Sequence, residues 1–350
     1  MTGGTAEAAP ATKRVFFGAY TTWSGGAKGL GIGTYDTATG RLAKTGVISG
    51  VVNPSFVVES RDGRFLYAVN ETSRGEVTAI DATRLKVVNK QATGGADPCH
   101  LTLDPSGKFL ITADYSSGSL SVFPVNADGS LGARTQKVQH QGSGPDPDRQ
   151  AGPHAHHVVF DPAGKYAAAV DLGADSVFFY SFDGRLQLVS TAKLAPGAGP
   201  RHIAFHPSGK TAYVANELDS TIVACAYADG KLTPGQVLET APPATERNYP
   251  AEVLVSADGR FVYLSNRGHD SVAQFAVDGA GLTLVGHTPV GGEYPRHITF
   301  DPTGSFLFAA NQNSSLVTSF AVDGATGGIT PSGTPLKTEI PVCVLPTRLG

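Results

Sequence analysis

The chain has few cysteines, no long apolar run and no excess of positive charge, and each absence excludes a class of protein. Its three cysteines (Cys99, Cys225 and Cys343) are odd in number and widely spaced, which argues against a disulfide framework. No apolar run approaches the roughly 20 residues that cross a bilayer. A formal net charge of −3 provides no basic surface for nucleic acid or an anionic membrane. We therefore expect neither a nucleic-acid nor a membrane partner.

Common catalytic motifs are also missing. The chain has no G-x-S-x-G, no H-E-x-x-H, no paired C-x-x-C and no glycine-rich loop that opens a helix. We therefore expect no cofactor and no bound metal. The low cysteine content favours a reducing, cytoplasmic setting, although an exported chain whose signal was already removed would look the same.

What the chain does have is a repeat. Six copies of one pattern begin at Pro54, Pro98, Pro153, Pro200, Pro250 and Pro295, with spacings of 44, 55, 47, 50 and 45 residues. Each copy contains a strand, a turn of the Asp-Pro-Ser-Gly type, a second strand and a closing Asn or Asp, as in PCHLTLDPSGKFLITAD and PRHITFDPTGSFLFAAN. A period of this length is typical of β-propeller blades.

A seventh copy is divided between the two ends of the chain. Residues 14–42 match the second and third strands of a repeat but lack the proline-led first strand, and residues 341–345 provide that strand. Building one blade from both termini joins the first blade to the last and removes an open sheet edge. The sequence therefore predicts an all-β, seven-bladed propeller over residues 14–350. We expect residues 1–13, which are small and polar, to form a disordered tail.

Propeller geometry predicts which side chains meet. In each blade the first strand lines the central axis and the second runs back beside it, so the start of one and the end of the other share a rim. The positions at this rim are equivalent in the repeat but differ in chemistry. Side chains expected there are His154, His156, Arg201, Arg296, Glu71, Glu217, Arg267 and Tyr115.

This mixture favours a small-molecule enzyme site over a non-enzymatic binding surface, for which an uncharged or aromatic rim is expected. Guanidinium groups match phosphate and carboxylate, so the substrate is expected to be a small anion. His154 and His156 have a metal-ligand spacing, but no third ligand accompanies them. Arg201 and Arg296 have a simpler interpretation as partners of carboxylates such as Glu217 between blades.

In four of the six continuous copies, a histidine directly follows the rim position of the first strand. These histidines are His100, His157, His202 and His297. For His202 and His297 a structural role is the simpler interpretation, with the ring pinned by a backbone carbonyl where the strand starts. His100 and His157 occupy the same position and share that interpretation, yet His100 is also a candidate for substrate contact.

Several segments resemble the seven-bladed propeller lactonases, which include propeller-type 6-phosphogluconolactonase and fungal carboxy-cis,cis-muconate cyclase. The segments are Gly18-Ala-Tyr-Thr21, Leu66-Tyr-Ala-Val-Asn-Glu71, Pro153-His-Ala-His156, Gly199-Pro-Arg-His202, Val214-Ala-Asn-Glu-Leu218 and Leu264-Ser-Asn-Arg-Gly268. The resemblance extends from about residue 14 onward. It implies a catalytic group of His156, Glu217, Arg201 and Arg267. His157 departs from the family pattern, in which a small residue such as serine is expected.

The resemblance implies hydrolysis of a sugar lactone, with 6-phosphogluconolactone of the pentose phosphate pathway as the first candidate. His156 would take a proton from water, Glu217 would orient that histidine or act as the base, and the two arginines would stabilise the oxyanion. Contacts to substrate are expected from His154, Glu71, Tyr115, His100 and Arg296. A carboxymuconate cycloisomerase or another lactone enzyme, and a non-enzymatic binding propeller, are the alternatives. We expect a monomer or a weak homo-oligomer.

Overall fold

Every regular element of the described chain is a β-strand. The computed structural model describes residues 11–243 and 245–348, in which 28 strands form seven four-stranded antiparallel sheets. These sheets are the blades of a propeller, which confirms the predicted fold class. No helix suited to crossing a membrane occurs in the described part of the chain.

Six blades are each built from one continuous segment. Their strands, from the axis outward, are β4 (Val57–Glu59), β5 (Phe65–Asn70), β6 (Glu76–Asp81) and β7 (Lys86–Ala92); β8 (Pro98–Leu103), β9 (Phe109–Asp114), β10 (Ser119–Pro124) and β11 (Gln136–Gln139); β12 (Ala155–Phe160), β13 (Tyr166–Asp171), β14 (Ser176–Phe182) and β15 (Leu186–Lys193); β16 (Pro200–Phe205), β17 (Thr211–Asn216), β18 (Thr221–Ala228) and β19 (Lys231–Glu239); β20 (Tyr249–Val255), β21 (Phe261–Arg267), β22 (Ser271–Asp278) and β23 (Gly281–Pro289); β24 (Pro295–Phe300), β25 (Phe306–Asn311), β26 (Leu316–Val322) and β27 (Ile329–Lys337).

The seventh blade is shared between the termini, as predicted. Its order is β28 (Pro341–Pro346), β1 (Thr12–Ala19), β2 (Gly29–Asp36) and β3 (Leu42–Ser49). Phe17 pairs with Val344 across the β1–β28 ladder. Because β1 starts at Thr12, the propeller begins two residues before the expected boundary. The rest of the expected tail, residues 1–10, lies outside the described residues.

The hydrophobic core is divided among the blade interfaces. Seven clusters of buried side chains each combine strands of two neighbouring blades. One of them joins Val15 and Phe17 of the shared blade to Phe308 of the blade before it. Because a neighbour covers each face of a blade, inner strands are buried on both sides, and Leu110 to Asp114 of β9 are all buried.

The repeated turns are fixed by side-chain hydrogen bonds to the backbone. Asp104 accepts the N–H of Phe109 at 2.7 Å and the N–H of Ser106 at 2.9 Å. Gly107 closes this turn with a φ of 71°, a conformation that favours glycine. The Asp-Pro-Ser-Gly residues are therefore structural, and they lie at the end of the blade away from the rim.

A β-bulge begins the innermost strand in six blades. In the blade of β16, Pro200 pairs with Asn216 and His202 pairs with Ala215, which leaves Arg201 as the extra residue outside the ladder. The same shift leaves Cys99, His156 and Arg296 unpaired in their own blades. A bulge re-aims the side chain of its extra residue. This bulge therefore determines which residues of the innermost strands can reach the rim.

Candidate active site

Bulge residues and strand-end residues surround a cavity of about 280 Å³ at the propeller axis. The side chains that line it come from all seven blades and from the loops that join them. They are Tyr20, Trp23, Glu71, Cys99, Tyr115, Arg149, His156, Glu217, Arg267, Tyr294 and Arg296. A 330 Å³ hollow at the other end of the blades has aspartates as its charged wall residues, which does not suit an anion.

Glu217, which follows β17, is the centre of the charged network. Its Oε1 lies 2.6 Å from Nη2 of Arg149, and its Oε2 lies 2.6 Å from Nη2 of Arg267 and 3.2 Å from Nε of Arg201. Only 5% of Glu217 is exposed. Burial alone would raise the pKa of this carboxyl, but the charges of Arg267, Arg201 and Arg149 hold it well below its usual range. Glu217 is therefore ionised and holds three guanidinium groups in place.

Arg201 lies beneath this network and does not line the cavity. Its Nη1 donates to the carbonyl oxygen of Ala251 at 2.8 Å, while its contact with Glu217 is not aligned as a hydrogen bond. Burial and the nearby charges of Arg267 and Arg296 lower the pKa of Arg201 to about 9. The arginine still carries its charge at neutral pH. Its position supports Glu217 from below.

His156 lines the cavity as a neutral imidazole. Burial, followed by the charge of Arg201, holds the pKa of His156 well below its usual value. Its Nδ1 is buried and has no hydrogen-bond partner among the described residues. Such a ring can accept a proton only in a site that stabilises the resulting charge.

Tyr115 is held between a histidine and an arginine. Its ring stacks on His154 with centroids 4.6 Å apart and meets His156 edge-on at 5.7 Å. Its hydroxyl accepts a hydrogen bond from Arg149 at 3.2 Å. His154 donates from Nδ1 to the Tyr115 carbonyl at 3.0 Å, which places it behind Tyr115 and off the cavity wall. His154 thus supports Tyr115, and with the tyrosine ring against both histidines the two do not form a ligand pair.

The opposite side of the cavity has a second polar group. Tyr20 donates its hydroxyl to Glu71 at 2.8 Å, and burial raises the pKa of Tyr20, so that it stays protonated. Tyr20 also stacks on Trp23, with centroids 4.2 Å apart and planes 9° from parallel. The guanidinium of Arg296 lies over the Tyr20 ring at 5.7 Å and 3.9 Å from Glu71. This corner holds one arginine that is only loosely paired.

His100 does not lie where substrate contact would require. It belongs to a layer one residue deeper along the axis, in which its ring packs 4.0 Å from Phe56 and 4.1 Å from His157. His157 lies in the same layer and does not narrow the cavity. The expectation that a backbone carbonyl pins the rings of His202 and His297 is wrong. Nδ1 of His297 accepts the N–H of Val344 at 3.3 Å, and Nδ1 of His202 bonds to the carboxylate of Glu252 at 2.8 Å. Nδ1 of His100 likewise accepts a backbone N–H, from Val158 at 3.4 Å.

The cavity lacks the features of cysteine or metal chemistry. Burial raises the pKa of the Cys99 thiol well above its usual value, and its Sγ lies 3.4 Å from the carbonyl oxygen of His156. This thiol is therefore protonated at neutral pH and is not an activated nucleophile. In the described ranges, no group of three His, Cys, Asp or Glu side chains could hold a metal ion.

Four cavity residues are not among the sequence candidates: Tyr20, Trp23, Arg149 and Tyr294. Arg149 lies in the connection between β11 and β12, which is longer than its counterparts and has no equivalent in the other copies. The 55-residue spacing between Pro98 and Pro153 was the available signal for this insertion. Trp23 is the single tryptophan of the chain and is half exposed at the cavity wall.

Comparison with known proteins agrees with this architecture. Residues 14–346 match the sequence profile of the family described as "Lactonase, 7-bladed beta-propeller". The chain is 38% identical over 272 residues to the 6-phosphogluconolactonase of Bacillus subtilis, covering 75% of this chain and 77% of that one. It is 33% identical over 296 residues to the 6-phosphogluconolactonase of Formosa agariphila, covering 80% and 84%. The periplasmic gluconolactonase of Pseudomonas aeruginosa superposes with a TM-score of 0.87 at 32% identity, covering 95% of this chain and 98% of that one. The chain therefore belongs to the seven-bladed β-propeller lactonase family.

Proposed function

We propose that this chain is an enzyme that hydrolyses a sugar lactone, with 6-phosphogluconolactone as the substrate. The observation that carries this proposal is the charge of the site. Three arginines of the cavity wall (Arg149, Arg267 and Arg296) face two carboxylates, Glu71 and Glu217, which leaves one positive charge beside a neutral imidazole. Beneath them the charge of Arg201 is offset by that of Glu252. A phosphate on a small sugar complements the excess positive charge of the wall.

Arg296 is the proposed holder of the phosphate. The other three arginines are committed to Glu217, whereas no group in residues 11–243 and 245–348 accepts a hydrogen bond from Arg296. Leaving a mostly buried guanidinium without acceptors is costly unless a ligand supplies them. Arg296 lies beside Tyr20 and Glu71, apart from the three arginines that contact Glu217, and it lines the same cavity as His156.

The proposed reaction adds water to the lactone carbonyl. His156 takes a proton from water as the oxygen attacks, and the carbonyl oxygen gains negative charge, which Arg267 and Arg149 stabilise. The tetrahedral intermediate then breaks its bond to the ring oxygen, and the proton held by His156 passes to that oxygen as it leaves. The products are a free hydroxyl group and a carboxylic acid, which releases its proton to solvent at neutral pH and leaves as the carboxylate.

In this scheme Glu217 orients the guanidinium groups of Arg149, Arg201 and Arg267 and is not the base. Both of its oxygens carry guanidinium contacts, and a carboxylate whose pKa is held so low is a very weak base. A dianionic substrate raises the proton affinity of His156, because it offsets the arginine charges that lower the pKa of this histidine. The base is therefore activated by substrate binding.

The proposal is tested by following hydrolysis of freshly generated 6-phosphogluconolactone, coupled to 6-phosphogluconate dehydrogenase, with spontaneous hydrolysis subtracted. His156→Ala should lower kcat by about 10²–10⁴-fold, the usual contribution of a general base. Arg296→Gln should lower kcat/KM for the phosphorylated lactone about 10–100-fold relative to the unphosphorylated lactone, as expected for a lost charge-assisted contact. Arg185→Gln, which removes an exposed arginine far from the cavity wall, is the charge-matched control.

An unphosphorylated sugar lactone is the second candidate, favoured by the likeness to the periplasmic gluconolactonase. In that case δ-gluconolactone would be turned over at least as well as the phosphorylated lactone. Arg296→Gln would then not change the ratio of kcat/KM for the two lactones. A cytoplasmic location belongs to the first candidate, since sugar phosphates are kept inside cells, and fractionation tests it. A carboxymuconate cycloisomerase or a non-enzymatic propeller would give no hydrolysis of either lactone above background.

A further inference from the structure

Beneath His156 lies a layer of imidazoles that the proposed reaction leaves without a role. Three of them repeat one interaction, in which Nδ1 accepts a backbone N–H of the next blade. Val158 donates to His100 at 3.4 Å, Ile203 to His157 at 3.4 Å and Val344 to His297 at 3.3 Å. An Nδ1 that accepts a hydrogen bond carries no proton, so each of these neutral rings has its proton on Nε2.

The fourth ring breaks the repeat. Nδ1 of His202 accepts no backbone N–H. The blade that follows each of the other three rings has a histidine or a cysteine at the equivalent position, whereas the blade that follows His202 has Glu252 there. Nδ1 of His202 instead donates to Oε1 of Glu252 at 2.8 Å, and the N–H of Val253 donates to the same oxygen at 3.3 Å. His202 therefore has the opposite tautomer, with its proton on Nδ1 and a lone pair on Nε2.

This exception lies directly against the cavity histidine. The rings of His156 and His202 have centroids 5.2 Å apart, and the buried Nδ1 of His156 has no partner. His202 also follows Arg201, the bulge residue that supports Glu217. The broken repeat thus coincides with the part of the ring that carries the proposed chemistry.

We propose that Glu252 and His202 are a buried pair of positioning residues that holds the His156 ring and stabilises the positive charge it acquires when it takes a proton from water. The proposal rests on the proposed function. Glu252 fixes the ring and tautomer of His202, and the His202 ring lies against the ring of His156, the histidine that gains a proton.

The surroundings of Glu252 make its charge important. Its Oε2 lies 3.6 Å from Nε2 of His297, and the other titratable groups around it are His157, Arg201 and Cys343. Glu252 is thus a lone carboxylate among neutral rings, a protonated thiol and one arginine. The charges of Arg201, Arg296 and Arg267 disfavour protonation of His156. In this proposal the carboxylate of Glu252, which is hydrogen-bonded to the His202 ring next to His156, offsets part of that effect.

The kinetic test uses Glu252→Gln, which keeps the size and an acceptor oxygen but removes the charge. We expect kcat to fall about 10–100-fold with KM changed less than about 3-fold, since only the transition state gains charge on His156. The acid limb of the kcat profile should move to lower pH, because losing a negative charge lowers the proton affinity of His156. Glu252→Asp, which keeps the charge, should recover part of kcat.

Phe56→Leu is the control, because it loosens the same layer without changing its charge. It should lower the melting temperature and leave the pH profile in place. Equal losses of kcat in Glu252→Gln and Phe56→Leu, or an unshifted acid limb in Glu252→Gln, would overturn the proposal.

A spectroscopic test does not depend on activity. Long-range ¹H–¹⁵N spectra of the wild type should show Nδ1 protonation for His202 alone among His100, His157, His202 and His297, and a Glu252→Ala variant should lose it. If no lactone is hydrolysed but this tautomer is present, the proposed function fails and the pair remains as a structural device. If lactones are hydrolysed and His202 has the common tautomer, the pair proposal fails by itself.

Discussion

The Glu217→Gln substitution tests how strongly the site depends on one carboxylate. Glu217 pairs with Arg149, Arg201 and Arg267 at distances of 2.6 to 3.2 Å, and it is almost fully buried. Glutamine has nearly the same shape but no charge. The substitution therefore leaves three guanidinium groups close together without a counter-ion, two of them buried.

The expected loss is large because removing one partner of a buried ion pair costs about 3–5 kcal/mol. For a chain of 350 residues this loss lowers the melting temperature by about 4–7 °C, if the propeller unfolds as one unit. The pH dependence has a definite sign. Since the folded-state pKa of Glu217 is depressed, its contribution is complete above about pH 4.5 and is lost as the pH falls through the folded value. The difference between wild type and variant should therefore shrink below pH 4.5.

Thermal unfolding with and without inorganic phosphate measures this effect. An anion that binds among the three unpaired guanidinium groups should stabilise Glu217→Gln more than wild type, by up to about 4 °C at a phosphate concentration of 100 Kd. Glu239→Gln, which removes an exposed carboxylate, is the matched control. An unchanged melting temperature in Glu217→Gln, or equal stabilisation of both proteins by phosphate, would show that the arginines do not depend on Glu217.

Three further outcomes follow from the same geometry. Because burial and Arg201 depress the pKa of His156, the acid limb of kcat/KM should lie below pH 6.5, and a limb above that value would contradict the neutral imidazole. Titration with 6-phosphogluconate should change the fluorescence of Trp23, the single tryptophan, in a saturable way, and Trp23→Phe should abolish the signal. Removing residues 341–350 deletes β28 and leaves β1 as an open edge, so cooperative unfolding followed by circular dichroism should be lost; a variant that melts like wild type would refute the role of the shared blade.

The fold could be predicted because its period appears directly in the chain. The proline-led copies and the turn aspartates, such as Asp104, repeat with the strands that they bound, and the missing strand of the first copy appears at residues 341–345. Strand alternation alone was a weaker guide. Ser121 looks like a solvent-facing position but is buried and donates to the backbone carbonyl of Thr93 at 2.8 Å, because a neighbouring blade covers that face.

The site could be predicted only in part, because the alternation of side chains along a strand does not show where a bulge interrupts it. The repeat correctly indicates one rim, but the depth at which each residue lies depends on the bulge, which turns Cys99 toward the cavity and His100 into the layer below. Arg149 could not be placed at all, since its loop has no counterpart in the other copies. The number of arginines was therefore underestimated, and with it the positive charge available for a phosphate.

The bulge also explains why one rim can hold such different side chains. A residue left out of the ladder contributes little to the pairing of its own blade, so that cysteine, histidine and arginine occupy this position without altering the fold. Substituting His156 or Arg296 should accordingly change turnover more than stability. Glu217 differs because it follows a strand end and pairs with three arginines, of which Arg201 alone is a bulge residue. Stability and chemistry are thus coupled at that carboxylate and largely separate at the bulge residues, which lets the propeller serve as a fixed frame for a variable site.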